Sequence, residues 1–427
     1  MSRSGTSRGW QVNLDIWTLF IWTALCAVGL IAIYSTTHGP AAAQMAESVG
    51  DNFYRQLTWI GICAVGIGIA LTLPVRFYRN AAYPIYGLTI LLLLASLFIG
   101  KEVNGARSWI VLGPLRLQVS EMAKVGTVLA VAQLLSERRT SAGSGGIGYA
   151  LKAVALIVLP AILIILQNDM GTALVFFGLV PIMLFWSGLP IHVIVLMISP
   201  AVAGYLSLVY WPAALAFAVL LTGGIWYVTD QPSLAAIAAT FTAGVTVVTS
   251  FAMSYLLQPH QVARLVSFTN PEAEEFRQGV GFHLVQSKAA IGSGGLWGQG
   301  YMNGTQTQGA YVPAQSTDFI FSVIGEEFGF VGSLVVLALL AALLLRLIQL
   351  GVDVKHPFGS IVAAGAVGVY LIHIFVNIGM ATGVLPVIGI PLPFISYGGS
   401  AMLANTALLA IVLDTHMRRD DLSIYGY

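Results

Sequence analysis

The sequence predicts an all-α polytopic membrane protein: a helical bundle of about 12 transmembrane spans with one large extracytoplasmic loop. Three observations carry this prediction. The 427 residues are 57% hydrophobic and only 9% charged, where a soluble domain carries about 25% charged residues. Mean hydropathy is +0.84. Apolar runs of about 20 residues, the length that crosses a bilayer as a helix, recur along the chain between polar or Pro/Gly-rich turns.

The net charge of +1 gives no global bias towards nucleic acid. Cys26 and Cys63 lie in apolar runs and read as small core hydrophobes, without disulfide or metal spacing. The apolar run that starts near Leu14 is too long for a signal-peptide core and is expected to stay as the first span. It covers about 14–36. A polar loop with His38, Asp51, Asn52, Tyr54 and Arg55 leads to span two, about 57–73. The turn Pro74–Arg79 leads to span three, about 81–99. The polar loop GKEVNGARSWIVLGPLRLQVSEMAK precedes span four, which ends near 135. Spans five and six cover about 149–167 and 171–187, and spans seven to nine about 190–209, 211–228 and 234–256. The segment 257–318 has no convincing span. Spans ten to twelve cover about 319–349, 358–384 and 392–414. The whole chain reads as one integral membrane domain, 1–427.

Lys and Arg collect on cytoplasmic loops. With the N-terminus inside, the inner loops hold Arg76, Arg79, Arg138, Arg139, Lys152, Arg346, Lys355, Arg418 and Arg419. The 257–318 segment then lies outside, with Arg55, Arg107, Lys124, Arg264, Arg277, Lys288 and Asp169. Cations that defy the inside bias are costly near the membrane unless paired or used.

Candidate site residues each have two readings. Asp318, between a polar run and the apolar Phe319-Ile-Phe, is a helix cap or a partly desolvated general base at the outer bilayer face. Glu326 and Glu327 lie about two turns further in, where acids call for a cavity or a cation. Glu121 and Lys124 are three residues apart and form an ion pair or bind ligand. Arg107, beside Trp109, anchors at the interface or holds a phosphate in a bidentate fork. Lys288 sits on a short amphipathic segment, with Phe282, Val285 and Ala289 as its apolar side. Asp169 in QNDMGT caps span six or serves the site. The glycines from Gly292 to Gly309 match no nucleotide-binding spacing and read as a loop that admits close backbone approach. Pro386, Pro391, Pro393, Gly398 and Gly399 break any straight helix. Broken backbone at membrane depth needs protein or a water-filled cavity beside it. A transferase acting on a lipid-linked anionic substrate and a secondary transporter both fit. The absence of a visible repeat, with polar groups on one face, favours surface chemistry.

GARSWI with QVSEMAK, QNDMGTA, TDFIFSVIGEEFGFVG and GVLPVIGIPLPFISYGGSAML together resemble the SEDS family (shape, elongation, division, sporulation), in the same order from about residue 100 to 415. HLVQSKAAIGSGGLWGQG and GTQTQ are most similar to its elongation branch, and the division branch is the nearest alternative. The resemblance implies a peptidoglycan glycosyltransferase in the bacterial cytoplasmic membrane that polymerises lipid II on the outer face. A lipid-linked precursor flippase is the rival. It implies a class B penicillin-binding protein transpeptidase and other elongation-complex membrane proteins as partners. It puts the essential carboxylate on Asp318 and further site residues on Arg107, Glu121, Lys124 and Asp169. Arg107, Lys124 and Lys288 are expected to stabilise the developing charge of the leaving diphosphate, and no cofactor is implied beyond an optional divalent cation, Mg or Mn.

Three features depart from the family pattern. Ala314 and Ser316 stand where the family has Glu and His. Ser108 replaces an Arg, and Asn168 replaces a Pro. The family has ten spans, so the excess is expected as an inserted helix pair within 190–256.

Overall fold

The computed structural model describes residues 14–40, 47–103, 105–112, 115–140, 146–251 and 280–419. Arg264, Arg277 and the first part of the expected outer loop fall outside them. The described residues are mostly helical. The first elements are α1 (Ile16–His38), α2 (Glu47–Gly50), α3 (Asn52–Ala70), α4 (Val75–Ile99), α5 (Val119–Thr140), α6 (Gly146–Leu166) and α7 (Met170–Trp186). They are followed by α8 (Ile191–Val209), α9 (Trp211–Thr229), α10 (Pro232–Phe251), α11 (Val280–Ser293) and the single turn α12 (Thr305–Gln308). The last three are α13 (Ile320–Asp353), α14 (Pro357–Thr382) and α15 (Gly399–Met417).

Each expected span coincides with a helix. Ten of the described helices are long and apolar enough to cross a membrane, whereas Met170–Trp186 and Pro232–Val247 are apolar but shorter. The protein is therefore a multi-pass, helical membrane protein. Three boundaries move. The second span begins at Asn52, so Asn52, Tyr54 and Arg55 of the expected polar loop are already helix. Pro74 is the N-cap of α4, so the expected turn Pro74–Arg79 is already helix, because proline's missing N–H is harmless at a helix start. The last span begins at Gly399 rather than 392, and residues 383–398 form no α-helix.

Two expected loops are ordered structure. The Arg107 loop is a three-stranded antiparallel sheet of β1 (Lys101–Val103), β2 (Ala106–Leu112) and β3 (Leu115–Gln118), with Trp109 opposite Gln118 and Leu112 opposite Leu115. The nominally span-free segment before Asp318 contains α11. Its buried face is Gly281, Leu284, Ser287 and Ala290. The expected apolar side of Phe282, Val285 and Ala289 is partly or fully exposed, because the face is offset by one residue.

The chain divides into two compact units. One comprises 184–285 with 383–387. Within it α8, α9 and α10 pack on one another around Leu221, Ile225 and Ala238, and Tyr205 donates to the Val384 carbonyl at 2.7 Å. It contains the whole stretch, 190–256, in which an inserted pair was expected.

The other unit comprises 1–183, 286–382 and 388–427. Its innermost helices are α5 and α15, each with 83% of its span buried, and α14 with 72%. Around them α1 packs on α13, α3 on α15 and α4 on α5. Arg346 of α13 grips Asp15 with a fork, Nη2 to Oδ1 at 2.6 Å and Nε to Oδ2 at 3.0 Å. Asp15 also caps α1 by accepting from the Thr18 amide at 3.1 Å. Arg418 pairs with Asp414 at 2.8 Å and donates to the Leu71 carbonyl at 2.9 Å, which ties α15 to the end of α3.

The Gly-rich stretch has a structural partner that was not anticipated. α13 is broken at Gly329, where φ is +67°. Across the break the helix cannot make its own i to i−4 bonds. The loop 294–300 supplies them instead. The Glu326 and Glu327 carbonyls accept from the Gln299 and Gly300 amides at 2.9 and 3.1 Å. The Phe330 and Val331 amides donate to the Gly295 and Leu296 carbonyls at 2.9 and 3.1 Å. The loop is thus a wedge set into the helix ladder. A Cβ at Gly294 would overlap the Gly325 carbonyl, and one at Gly298, where φ is +83°, would overlap Glu327. The close approach expected of these glycines is an approach to α13 itself. Gly298→Ala is therefore expected to destabilise by about 2 kcal/mol or more. Gly295→Ala, with φ +56° but open space around the added methyl, should lose about 1 kcal/mol. Thermal midpoints in detergent check the order.

Candidate active site

Asp318 is not a helix cap. The N-cap position of α13 is Phe319, and no side chain bonds there. The Asp318 carboxylate has no hydrogen-bond or ion-pair partner among the described residues. Its backbone, in contrast, is clamped. The Thr317 and Asp318 amides both bond the Ala314 carbonyl at 3.1 Å, around a left-handed Ala314 with φ +47°. The carbonyls of residues 316, 317 and 318 each meet an outside donor. Ser316 O accepts from the Tyr397 amide at 2.9 Å, Thr317 O from Ser396 Oγ at 2.5 Å, and Asp318 O from Asn377 Nδ2 at 2.8 Å.

The donors come from α14 and from the broken segment before α15. That segment folds on its own polar groups and on α3. Leu392 N donates to Ser396 Oγ at 2.8 Å, Gln56 Nε2 to the Ser396 carbonyl at 3.3 Å, and Gly398 N to Gln56 Oε1 at 3.2 Å. Gly389, with φ +79°, lies against the reactive group, since a Cβ there would be 3.3 Å from Asp318 Oδ2. Asp318 is half-buried, and desolvation pushes its carboxyl up to about 6. A fixed backbone, an unengaged carboxylate and a raised pKa are the properties of a general base.

Two of the four positions that depart from the expected pattern serve the clamp. Ala314 makes the turn, and the Ser316 hydroxyl accepts from Asn52 Nδ2 at 3.4 Å. Ser108 is buried on the face of β2 opposite exposed Arg107, as strand alternation requires.

Of the other candidate residues, Arg107 is exposed and reaches Glu102 at 3.4 Å. Its amide bonds the Gln167 carbonyl at 3.0 Å, so the strand is fixed while the guanidinium faces solvent. Lys288 is exposed on α11. Asp169 is the cap of α7, accepting from the Thr172 amide at 3.1 Å. Its second oxygen accepts from Gln118 Nε2 at 3.1 Å and Ser120 Oγ at 3.4 Å, which joins α7 to the end of β3. Glu121 and Lys124 form an ion pair of 2.7 Å, with side chains 2% and 1% exposed. Lys124 Nζ also lies 2.7 Å from His373 Nε2.

Among the described residues it is the Gly-rich loop that meets Glu326 and Glu327. Glu326 accepts from the Gln306 and Thr307 amides at 2.7 and 2.8 Å and from Ser293 and Thr305 hydroxyls at 3.2 Å. It thereby caps α12. Glu327 accepts from Ser35 Oγ at 2.5 Å and Gln308 Nε2 at 2.9 Å, which ties the loop to α1. Both acids are fully buried, so they are anchors of the loop.

Asn52, Gln56, His373, Asn377 and Ser396 surround the Asp318 segment without having been singled out from the sequence. His373 and Asn377 carried a usable signal, since polar residues inside a span mark functional positions by default. An apolar groove of about 260 Å³ also opens between α3 and α15, lined by Cys63, Ile67, Leu403 and Ala407 among others. It follows the half of α3 remote from Asn52 and does not adjoin Asp318.

Residues 16–219 and 213–421 match the FtsW/RodA/SpoVE family, described as cell cycle protein. The chain is 32% identical to the peptidoglycan glycosyltransferase RodA of Treponema pallidum, over 93% of this chain and 97% of that protein. It is also 32% identical to the peptidoglycan glycosyltransferase MrdB of Escherichia coli, over 97% and 96%. A protein of Shewanella sediminis named as a probable peptidoglycan glycosyltransferase FtsW matches at 32%, over 94% and 86%. Among solved structures, a chain from work described as structural coordination of polymerization and crosslinking by a peptidoglycan synthase complex superposes with a TM-score of 0.70 at 28% identity, covering 95% of this chain and 98% of that one.

Proposed function

The chain belongs to the FtsW/RodA/SpoVE family of cell cycle proteins, and from that premise we infer that it is a peptidoglycan glycosyltransferase that polymerises lipid II during elongation and rod-shape maintenance. The observation that carries the mechanism is the free, raised carboxylate of Asp318 on a clamped backbone. Asp318 takes the proton from the acceptor sugar's 4-hydroxyl as that oxygen attacks the donor's anomeric carbon. The leaving isoprenoid diphosphate departs as a stable anion and needs little help from a general acid. Exposed Arg107 and Lys288 are the cations available to its developing charge. Glu121 and Lys124 enter this reading as a buried brace, since neither reaches solvent.

Among the described residues no three acids or imidazoles converge on one point. The acids near Asp318 are already taken, Glu326 and Glu327 by the loop and Asp169 by its cap. Among the described residues the protein's own donors therefore build no cage for Mg or Mn.

The site lies on the extracytoplasmic face of the cytoplasmic membrane in this reading, where lipid II is consumed. The partner is a class B penicillin-binding protein transpeptidase, joined by other elongation-complex membrane proteins. The complex named for the structural relative supports such an assembly.

Polymerisation of lipid II by the purified protein with its transpeptidase in detergent tests the activity. Glycan strands are expected there, where transport across a bilayer is impossible, and a flippase would make none. The base makes a second prediction. With its pKa raised to about 6, Asp318 is protonated below that pH and cannot accept the hydroxyl proton. The rate should fall about tenfold per pH unit below 6 and level off above it. An acid limb near pH 4 instead would show a fully solvated carboxylate.

A further inference from the structure

His373 and Asn377 lie one turn apart on α14, so their side chains share a face. Both are buried, at 1% and 0% exposure, in a helix that is otherwise mostly apolar. Each holds a carbonyl of the broken segment. His373 Nδ1 is 3.0 Å from the Pro391 carbonyl. Because a carbonyl only accepts, the ring proton sits on Nδ1, and Nε2 is left to accept from the Lys124 ammonium at 2.7 Å. Asn377 Nδ2 donates to the Ile390 carbonyl at 2.7 Å and the Asp318 carbonyl at 2.8 Å. Both acceptors are oxygens, so the amide orientation is fixed, and Asn377 Oδ1 is left with no partner.

These bonds form one continuous path. Glu121 holds Lys124 at 2.7 Å, Lys124 holds His373, His373 holds Pro391, and Asn377 holds both Ile390 and Asp318. Pro391 and the non-helical backbone around it leave carbonyls that no helix ladder can satisfy. The two α14 side chains meet two of them and join the second to the backbone of Asp318. Gly389, next to Ile390, is the residue packed against the Asp318 carboxylate.

We propose that His373 and Asn377 are positioning residues for Asp318: they set the height of the 389–391 backbone and of the Asp318 carbonyl, and so aim the carboxylate. The proposal rests on Asp318 being the base. A shift of about 1 Å in a reacting group is enough to lose about a hundredfold in rate. Holding substrate is not part of this role, since neither side chain reaches the surface.

The test is steady-state polymerisation of lipid II by the full chain with its transpeptidase, for His373→Phe, His373→Gln and Asn377→Leu. Phe keeps the ring shape and removes both bonds, and Gln can donate and accept as His does. Positioning predicts a kcat roughly 10- to 100-fold lower for His373→Phe and Asn377→Leu. It also predicts a KM for lipid II within about twofold of the parent, and recovery of most of the rate by Gln. A purely structural role would lower the thermal midpoint and the yield but leave the kcat of the folded protein unchanged, and that result overturns the proposal. So does a change confined to KM. Should His373→Phe not accumulate, His373→Gln is compared with His373→Asn, whose amide is too short to span both partners; equal kcat values overturn the proposal. Asp318→Asn, run in parallel, separates the two claims, because wild-type activity there removes the base whatever the α14 variants do.

Discussion

Asp318→Asn is expected to lower the rate of glycan polymerisation by about 10²- to 10⁴-fold while leaving the protein folded. The first half follows from removing a base that no neighbour can replace, since Glu326 and Glu327 are bound to the loop and fully buried. The second half follows from the absence of any bond to the carboxylate. Among the described residues every hydrogen bond that fixes residue 318 is made by its backbone, which Asn preserves. The sign of the stability change can also be stated. A carboxyl whose pKa is raised on folding is destabilised in its charged form, so its ionisation opposes folding increasingly as pH rises from about 4 to about 6. Above that window Asn removes the penalty, and the thermal midpoint at pH 7.5 should equal or exceed that of the parent. A lower midpoint would mean that Asp318 makes a structural bond after all, and undiminished polymerisation would remove it from the chemistry.

Residues that act locally were legible in the sequence, and residues that act across the fold were not. The apolar runs located the long helices, ten of which among the described residues are long and apolar enough to span, because hydropathy needs no knowledge of neighbours. Asp169 was open between cap and site, and its geometry is that of a cap. Glu121 and Lys124, three residues apart, pair as helix geometry allows. The sheet carried a hairpin signal, two short apolar runs around Gly113-Pro114, which its charged residues obscured.

Non-local partners left only half of their message in the chain. Glycine at 294 and 298 announces that something comes close, and only the fold shows that it is α13. Glu326 and Glu327 announce a need for partners. The amides and hydroxyls that answer are about 20 or more residues away in sequence, as with Thr307 and Ser35. His373 and Asn377 have the same character, since their partners lie on the segment 390–391, on Lys124 and on Asp318.

Lys124→Met is expected to be the most destabilising single substitution among the candidate residues, by about 3–5 kcal/mol. Lys124 is wholly buried, and its ammonium is shared by Glu121 and His373 at 2.7 Å each. Methionine fills much the same volume, so the loss is electrostatic. Glu121, 2% exposed, is left in the bundle with no counter-ion, and His373 loses the donor to Nε2. Removing the acid as well should reverse most of the loss, because replacing a buried pair with apolar groups is often close to neutral, whereas breaking one is not. The double variant Glu121→Leu with Lys124→Met is therefore expected to have a thermal midpoint in detergent well above that of Lys124→Met alone. Equal midpoints would show that packing at Lys124, and not the orphaned Glu121 charge, governs stability there. The comparison also bears on Asp318, since the path from Glu121 through His373 ends at its backbone. If the brace is what matters, Lys124→Met loses kcat as well as stability, with the KM for lipid II nearly unchanged, because the Lys124 side chain is wholly buried.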